Sequence, residues 1–563
     1  MRAAPPNTRG LALAPPPSSP GLRCCWRTPS GKDCSMRAQT LRQFLSVHTW
    51  AGIVAGFALF IAMLGGALTV FHHEIERWEQ PATRHAPLSL AQTEQLAERV
   101  RMQFPAAREQ MGVVLPNHSP TPFAYWQEPN GEWQQARLHA NAEGAAPSLV
   151  IGDARPGLSG TINALHYSLS IPTYGLYLMG VVSLFYGMAL ISGVIVHLPR
   201  VTRDVFALRP GRNVKRFWQD AHNAIGVLSL PFHIVFALTG ALLCLLLPLM
   251  MAFNVVTFDN KLLSQIPQIT GAVPATIAPV DGKPLGLTAL LARAEHAAPD
   301  MEATAVAWTR YGKPDAVAEV YGEASDSLGV FSAVAVRLND GAIVGQHSPG
   351  VRDANHAVLS MIYGAHFGNF AGDAMRWVYF VLGLMGAVLV YSGNLLWLES
   401  RRKRNAAVQP AHLRGMAKAT AGVFLGTCLG IAAAFVGAIV APDMTALSIF
   451  IATLTASMLF AALAAPAVAA TGLLAATALV CLAIPAADAV LTPDNLMHSM
   501  AAGDWVLAGV DLVAIVFAGA FALFARATWK RARSGDPCSV WARPAPNSAA
   551  PTSEASADLS AKP

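Results

Sequence analysis

Histidines and glycines recur at fixed intervals in this sequence, and two copies keep the same intervals. In each copy the first glycine comes four residues after the histidine and the second comes eighteen after it. One copy is His48 with Gly52 and Gly66, and the other is His222 with Gly226 and Gly240. Imidazole nitrogens bind metals and move protons, so a repeated histidine is a candidate for either chemistry.

A second pair of histidines keeps an interval of its own. The glycine of a Ser-Gly dipeptide follows His166 at Gly193, and an equal interval separates His366 from Gly393, the glycine of a second such dipeptide. Apolar runs accompany all four histidines, so the repeated unit is two apolar helices with their histidines. The sequence therefore predicts a tandem duplication that makes a four-helix core.

The duplication favours one chemistry for these four histidines. A single imidazole near lipid could serve as an interfacial anchor or bond to a neighbouring helix. Two copies that cross the membrane in the same sense are related by a pseudo-twofold axis along the membrane normal. That axis places His48 opposite His222 at the cytoplasmic end and His166 opposite His366 at the outer end. Two facing neutral imidazoles suit one metal ion, and in an apolar slot we expect haem iron, hence about two b-type haems.

The glycines favour a flat ligand between the helices. At about 100° per residue, a position four residues on lies about 40° away, and one eighteen residues on returns to the same face. Gly66 and Gly240 then lie about 27 Å along the helix from the histidine of their copy, at the depth of the outer pair. By the same count, Gly193 and Gly393 come near the depth of the cytoplasmic pair. Helix packing alone also favours glycine, but glycine at the depth of paired histidines favours haem.

The remaining histidines fit the repeat less well. His233 lies eleven residues after His222, but its counterpart in the first copy is Leu59. It is the first alternative ligand, ahead of His72, His73 and His197. Pro172 follows His166 closely, which predicts that His166 lies on a short helix of its own.

The composition identifies the class of protein that positions these residues. The chain has 563 residues, 53% hydrophobic and 13% charged, and several apolar runs exceed the roughly 18 residues of a membrane-spanning helix. We expect a polytopic α-helical membrane protein with a tandem-duplicated four-helix haem core, two periplasmic α+β domains and a C-terminal four-helix extension. The predicted segments are a disordered cytoplasmic N-terminus 1–40, helix 41–75, outer domain 76–165, helix 166–200, basic loop 201–221, helix 222–250, outer domain 251–365, helix 366–404, extension 405–530 and a disordered cytoplasmic tail 531–563.

Basic residues predict the orientation in the membrane. They are concentrated in the loop at 201–221, in Arg401-Arg402-Lys403-Arg404 and after the last apolar run. Positive loops stay in the cytoplasm, so both termini are expected inside a bacterial inner membrane and the two long polar segments outside. This grouping accounts for the net charge of +6 without a nucleic-acid partner. Met36 is an alternative start of translation.

The two outer segments resemble each other and carry no redox centre. Each begins a helical stretch with a related motif, Pro87-Leu-Ser-Leu or Pro284-Leu-Gly-Leu, and short β-like runs follow. Each is therefore predicted to be a small α+β domain, with a hairpin near residue 340. None of the seven cysteines lies in them, and the sequence has no nucleotide-binding motif.

These motifs resemble the PepSY-associated transmembrane helix family. The resemblance covers about residues 40–404 and leaves the rest of the chain, from 405 onward, outside. It rests on His48-x3-Gly52 with Gly65-Gly66, on Leu165-His166, on Asp220-Ala-His222-x3-Gly226 with Thr239-Gly240, and on His366 with Ser392-Gly393. It implies PepSY-like outer domains and a similarity to di-haem inner-membrane reductases of ferric siderophores, including the FoxB type. Electrons would then come from quinol or a separate donor and pass to a periplasmic ferric siderophore or other ferric chelate.

Two other classes of function remain open at this point. A periplasmic sensor, binding protein or regulator of peptidases would use the outer domains but leave the duplicated histidines unexplained. A transporter would need broken helices and paired charges at mid-depth, and only Asp511 and Asn394 point that way. Membrane lipid is a partner under every alternative.

Overall fold

The protein is described here by a computed structural model that covers residues 38–81, 88–119, 121–139, 148–152, 157–198, 214–262, 271–403, 406 and 408–542. The disordered N-terminus predicted at 1–40 lies almost wholly outside these residues, as do most of the basic loop at 201–221 and the end of the tail. In chain order, the elements are α1 (Ala38–Thr69), α2 (His72–Trp78), α3 (Leu90–Gln103), α4 (Ala106–Glu109), β1 (Gln110–Val114), β2 (Phe123–Gln127), β3 (Trp133–His139), β4 (Ser148–Ile151), α5 (Leu158–Ser168), α6 (Gly175–His197), α7 (Val214–Leu228), α8 (Leu230–Val256), α9 (Leu287–Ala297), β5 (Glu302–Thr309), β6 (Val317–Glu323), β7 (Phe331–Arg337), β8 (Ile343–His347), α10 (Ala354–Phe367), α11 (Gly372–Arg401), α12 (Ala411–Thr420), a π-helical turn (Ala421–Leu425), α13 (Gly426–Val440), α14 (Ala446–Leu463), α15 (Pro466–Leu491), α16 (Leu496–Ala502) and α17 (Trp505–Ser534).

The protein is a multi-pass membrane protein. Eight helices in the described part of the chain are long and apolar enough to cross a membrane. Four of them precede the extension (α1, α6, α8 and α11), and four belong to it, where α12, the π-turn and α13 run on as one helix. The count predicted from the apolar runs is confirmed.

The first four spans pack in the order α11, α1, α6, α8, with the two helices of the first copy in the middle. α1 packs against α6 and α11, and α6 packs against α8. The span predicted at 222–250 is not one helix: α7 ends at Leu228 and α8 begins at Leu230, with Ser229 between them. Pro231 lies in the first turn of α8, where its missing N–H costs nothing, whereas a continuous helix would lose a hydrogen bond there.

The outer segments form one sheet, which corrects the prediction of two separate domains. Each supplies a helix and four strands, but all eight described strands join in the order β4-β3-β2-β1-β5-β6-β7-β8. The join is the antiparallel pair β1–β5, where Val113 lies opposite Val306. An edge strand exposes unpaired N–H and C=O groups, and joining the two halves removes two such edges. The hairpin predicted near residue 340 is confirmed, since β7 pairs with β8 across Gly341.

Both ends of this sheet lead into the core. The edge strand β4 precedes α5, which carries His166, and the opposite edge strand β8 precedes α10, which carries His366. α5 packs on α1, and α10 packs on α8. The sheet therefore connects directly to the two short helices that bear the second pair of histidines.

The extension packs against the core through aromatic and apolar side chains. Phe424 of the π-turn stacks on Phe60 of α1, with ring centroids 4.5 Å apart. Leu165 of α5 lies in one apolar cluster with Phe435 and Phe450 of the extension. Arg77 of α2 forms an ion pair with Asp504, just before α17, at 2.6 Å.

Candidate functional site: two histidine pairs

The structure brings the four repeated histidines together as two pairs. The ring centroids of His48 and His222, the first pair, lie 6.1 Å apart. Those of His166 and His366, the second pair, lie 5.9 Å apart. Metal–imidazole bonds are about 2 Å long, so two imidazoles on opposite sides of one metal ion have ring centres roughly 6 Å apart. Both separations suit a metal between the rings.

One nitrogen of each ring is held by a neighbouring helix. His48 Nδ1 lies 2.8 Å from the carbonyl oxygen of Ala189, and His166 Nδ1 lies 2.8 Å from that of Ala62. A carbonyl only accepts, so Nδ1 carries the proton and Nε2 keeps its lone pair. The described residues offer Nε2 of these two rings no hydrogen-bond partner.

The second copy holds its histidines with hydroxyl groups as well. His222 Nδ1 lies 3.0 Å from Ser392 Oγ and 3.1 Å from the carbonyl oxygen of Leu389. His366 Nδ1 lies 2.8 Å from Thr239 Oγ1, whose own proton is donated to the carbonyl oxygen of Val235 at 2.6 Å. Thr239 therefore accepts from His366. All four rings are fixed in the tautomer that a metal requires.

A glycine on the same neighbouring helix faces each ring. A Cβ on Gly66 would lie 2.7 Å from Cε1 of His166, and one on Gly193 would lie 3.0 Å from Cε1 of His48. In the second copy, a Cβ on Gly393 would lie 3.4 Å from Cε1 of His222, and one on Gly240 would lie 3.7 Å from Cε1 of His366. The depths assigned to these glycines from their spacing agree with the structure.

The other two glycines predicted to bind the cofactor have no such contact. A Cβ on Gly52 would meet no heavy atom within 4 Å, and one on Gly226 would meet only Leu389 Cδ1 at 3.5 Å. They leave space beside the first pair and hold no ring. Their role toward a cofactor remains a prediction.

His233 joins neither pair. Its ring contacts Tyr186 and Phe236, with centroids 6.0 and 6.3 Å away, and no other histidine ring among the described residues. It is fully buried, and neither ring nitrogen has a hydrogen-bond partner in the described chain. The structure thus gives this alternative ligand no partner histidine.

The three remaining alternative ligands, His72, His73 and His197, lie near the ends of the spans. The ring centroids of His72 and His73 lie 3.7 Å apart with the rings tilted, and the ring of His73 also lies 4.7 Å from that of His118. His118 was not singled out from the sequence, because it has no repeat partner that would mark it. His197 is the last residue of α6, and its Nε2 is buried with no hydrogen-bond partner among the residues that the structure describes.

The residues present fit a haem at both pairs. Each pair offers two neutral imidazoles at a separation that suits one metal, with each ring held through Nδ1 and packed against a glycine of the neighbouring helix. The acceptor roles of Thr239 and Ser392 were missed in the sequence, although a small hydroxyl residue precedes three of the four glycines.

The comparison with known proteins identifies the family. Residues 45–400 match the protein-family model described as the PepSY-associated TM region. The matched residues include all four histidines and their glycines. The chain belongs to the PepSY-associated transmembrane family. The match ends before α12, so the extension lies beyond the part of the chain that defines the PepSY-associated family.

A relative from Pseudomonas aeruginosa shares this region. It is named Uncharacterized protein PA4219 and is 28% identical over 300 residues, which cover 51% of this chain and 74% of the relative. Its name carries no activity. The similarity to this relative therefore gives no information on a substrate.

Proposed function

We propose that this protein is an inner-membrane di-haem electron-transfer protein that reduces periplasmic ferric siderophores or other ferric chelates and so releases their iron. The observation that supports it best is the geometry of the two histidine pairs, 6.1 and 5.9 Å between ring centroids, at opposite ends of the first four spans. Haem held by each pair would supply one-electron redox chemistry at both faces of the membrane.

The residues of the chain position and insulate these centres. The carbonyl and hydroxyl acceptors hold each imidazole through Nδ1, so that Nε2 keeps its lone pair for a metal. The glycines admit a flat group between the helices, and the apolar side chains of the four spans exclude water. A dry, rigid site favours rapid change of oxidation state over side reactions.

The direction of transfer is argued from the two faces of the protein. The second pair is the one connected to the sheet, since the edge strands β4 and β8 lead into the two helices that carry it. Every described cysteine, namely Cys244, Cys428, Cys481 and Cys538, lies outside the sheet, so the sheet offers no redox centre of its own. With the orientation predicted by the basic loops, electrons leave from the second pair toward the periplasm.

The electron donor follows from what the opposite face lacks. The sequence has no nucleotide-binding motif, so bound NADH is not proposed as the donor. His48 of the first pair lies in the N-terminal half of α1, where the side chain of Trp50 is exposed. Quinol from the membrane or a separate partner protein is the donor that suits this position.

The haem content is tested first. A pyridine haemochrome assay on protein produced with sufficient haem is expected to give about two b-type haems per chain. His48→Ala or His222→Ala should remove one haem, and His166→Ala or His366→Ala the other, because one remaining imidazole binds weakly. Protein without haem would contradict the proposal.

The substrate is tested by stopped-flow mixing. Dithionite-reduced protein is mixed with several ferric siderophores while the α-band of the reduced form is followed. Loss of the band that depends on His166 and His366 supports reduction at the second pair. Equal rates in His166→Ala and the unchanged protein would mean that iron is reduced elsewhere.

A second candidate is a binding or sensor protein of the PepSY type that regulates a peptidase and has no redox activity. A cleft beside the sheet favours it. A cleft of about 450 Å³ between α3 and α9 contains Arg101, whose guanidinium is stacked between the rings of Trp308 and Tyr311 at 5.0 and 4.0 Å. Its Nη1 is buried without a hydrogen-bond partner in the described chain. Retention of peptide by a haem-free protein, abolished in Arg101→Met, would favour this candidate over the first.

A further inference from the structure

Two buried polar side chains without partners meet midway between the histidine pairs. His233 of α8 is fully buried, and Tyr186 of α6 is 5% exposed. Neither ring nitrogen of His233 nor the hydroxyl of Tyr186 has a hydrogen-bond partner in the described chain. Their ring centroids are 6.0 Å apart and the rings meet edge to face. Inside a membrane, polar groups left in this state cost free energy, so a polar ligand is expected between or beside them.

The two copies carry different residues at both pairs of corresponding positions in this layer. The offset that relates His48 to His222 makes Leu59 the counterpart of His233. The offset that relates Gly193 to Gly393 makes Gly386 the counterpart of Tyr186. Gly386 also makes room for the histidine, since a Cβ there would lie 3.2 Å from Cε1 of His233. At each of these two positions, one copy has a side chain that can form hydrogen bonds and the other copy has Leu or Gly. Symmetric helix packing does not require this difference.

The depth of the layer indicates what can reach it. His233 precedes Gly240, which faces the second pair, by seven residues, or about 10 Å along α8. Tyr186 precedes Gly193, which faces the first pair, by seven residues, or about 10 Å along α6. The layer thus lies between the two proposed haems, within reach of groups attached to the rim of either ring.

We propose that His233 and Tyr186 form a carboxylate-binding site that holds a propionate of one of the two haems. A neutral imidazole and a phenol each bring an N–H or O–H donor, and the ligand that matches two adjacent donors is an acceptor. A carboxylate accepts most strongly in an apolar surrounding, and a b-type haem carries two carboxylates on its rim. This inference rests on the proposed function and adds to it the residues that fix one haem in rotation.

The test uses infrared difference spectra of oxidised and reduced protein. The haem is labelled with ¹³C at its propionate carboxyls through labelled 5-aminolevulinic acid, so that its bands are separated from those of Asp and Glu. In Tyr186→Phe, which removes only the hydroxyl, and in His233→Leu, which restores the residue of the other copy, one labelled band should shift. The midpoint potential of one haem should fall with it, because the carboxylate keeps more of its negative charge. The haem whose potential moves is the one whose propionate is bound.

Controls separate this site from general damage. His233→Gln keeps an N–H donor and should restore the band toward its original position. Tyr379→Phe removes a hydroxyl that donates to the carbonyl oxygen of Ala365 at 2.7 Å, and it should leave the labelled bands unchanged. Two haems with unchanged bands in both His233→Leu and Tyr186→Phe would overturn this inference alone and assign the pair to an internal water. Protein without haem would overturn the proposed function and this inference with it.

Discussion

At the scale of single residues, the site depends on which nitrogen of each imidazole is occupied. Three of the four rings contact a carbonyl oxygen of a helix from another part of the core, and the fourth contacts the hydroxyl of Thr239. The three carbonyls all lie four residues before the glycine that faces the ring. The glycine lets the ring approach the helix, and the carbonyl oxygen four residues earlier orients the ring, so the two act together.

Thr239→Val tests the hydroxyl that accepts from His366 in place of a backbone carbonyl. Valine keeps the shape of threonine but cannot accept from His366 Nδ1, so the ring loses its orientation. Loss of such an outer hydrogen bond typically weakens metal affinity about 10- to 100-fold. Haem retained at the second pair during dilution or chelation by apomyoglobin measures this. Thr427→Val is the matched control, because its hydroxyl makes the same bond to the carbonyl four residues back but lies in the extension. Equal loss in both variants would contradict the role of Thr239.

Gly66→Ala tests the close approach. The added Cβ would lie 2.7 Å from Cε1 of His166, so the ring or helix must move. Overpacking of this kind costs roughly 1–3 kcal/mol, which outweighs a helix-propensity gain of about 1 kcal/mol. Haem at the second pair should be reduced in amount and the first haem kept, as measured by redox titration of the two centres. Gly187→Ala, whose Cβ would meet nothing within 4 Å, should bring only the gain in propensity.

At the scale of elements, α5 is held at both ends. Its last turn carries His166, and its first backbone N–H groups, those of Leu158 and Ser159, donate to the carboxylate of Glu79. An acidic group at a helix N-terminus is favourable when charged. Burial nevertheless dominates here and raises the pKa of Glu79 from 4.5 to about 7. The carboxyl that anchors the helix therefore titrates near neutral pH.

The pH dependence of stability follows from that pKa. Between pH 4.5 and about 7 the folded protein binds more protons at Glu79 than the unfolded chain does, so stability falls as pH rises through this window. Glu79→Gln removes the titration and should flatten that part of the profile. Thermal unfolding of the purified protein in detergent, below, within and above the window, measures it. Glu295→Gln, on the exposed face of α9, is the control and should keep the slope. A slope that survives in Glu79→Gln would assign the effect to another group.

Some elements were predictable and others were not, for physical reasons. The spans follow from hydropathy, and the pairing of the histidines follows from two constant offsets between the copies, which survive in the linear sequence. The shared sheet does not, because the pairing of β1 with β5 depends on backbone groups that every residue has. The break at Ser229 left a signal in Pro231, but a proline in an apolar run is common in membrane helices. The partners of Nδ1 are mostly carbonyls, and these leave no mark in the residue types.

At the scale of the whole molecule, the extension supports one pair more than the other. α5 lies in an apolar cluster with residues of α13, α14 and α17, among them Phe435, Phe450 and Leu507. The ion pair of Arg77 with Asp504 also ties the end of α1 and α2 to the start of α17. On the side of the first pair, α1 meets the extension through Phe57 and Phe60 against Phe424, while further along α1 Ile61, Leu64 and Leu68 pack against the same cluster as α5. The second pair therefore depends on residues outside the matched family region, which ends at residue 400.

Removal of the extension should consequently affect the two haems unequally. In a chain that ends after residue 404, α5 loses its apolar neighbours and His166 loses the support that holds it toward His366. The first pair keeps its helices, its glycines and its carbonyl acceptors. We expect such a chain to retain about one haem at the first pair and to lose most of the second. Redox titration and the pyridine haemochrome assay on the same sample measure both quantities.

A single substitution in the full chain tests the same link without the general instability that shortening the chain could cause. Phe435→Ala in the full chain removes one side chain of the cluster around α5, at a cost of roughly 3–5 kcal/mol for a buried phenylalanine. It should weaken the second haem in the same direction, because a cavity opens beside the helix of His166. Phe424→Ala creates a cavity of similar kind beside Phe60, away from α5, and should leave the second haem in place. If both variants and the shortened chain lose the two haems in equal proportion, the extension stabilises the protein as a whole and has no particular link to the second pair.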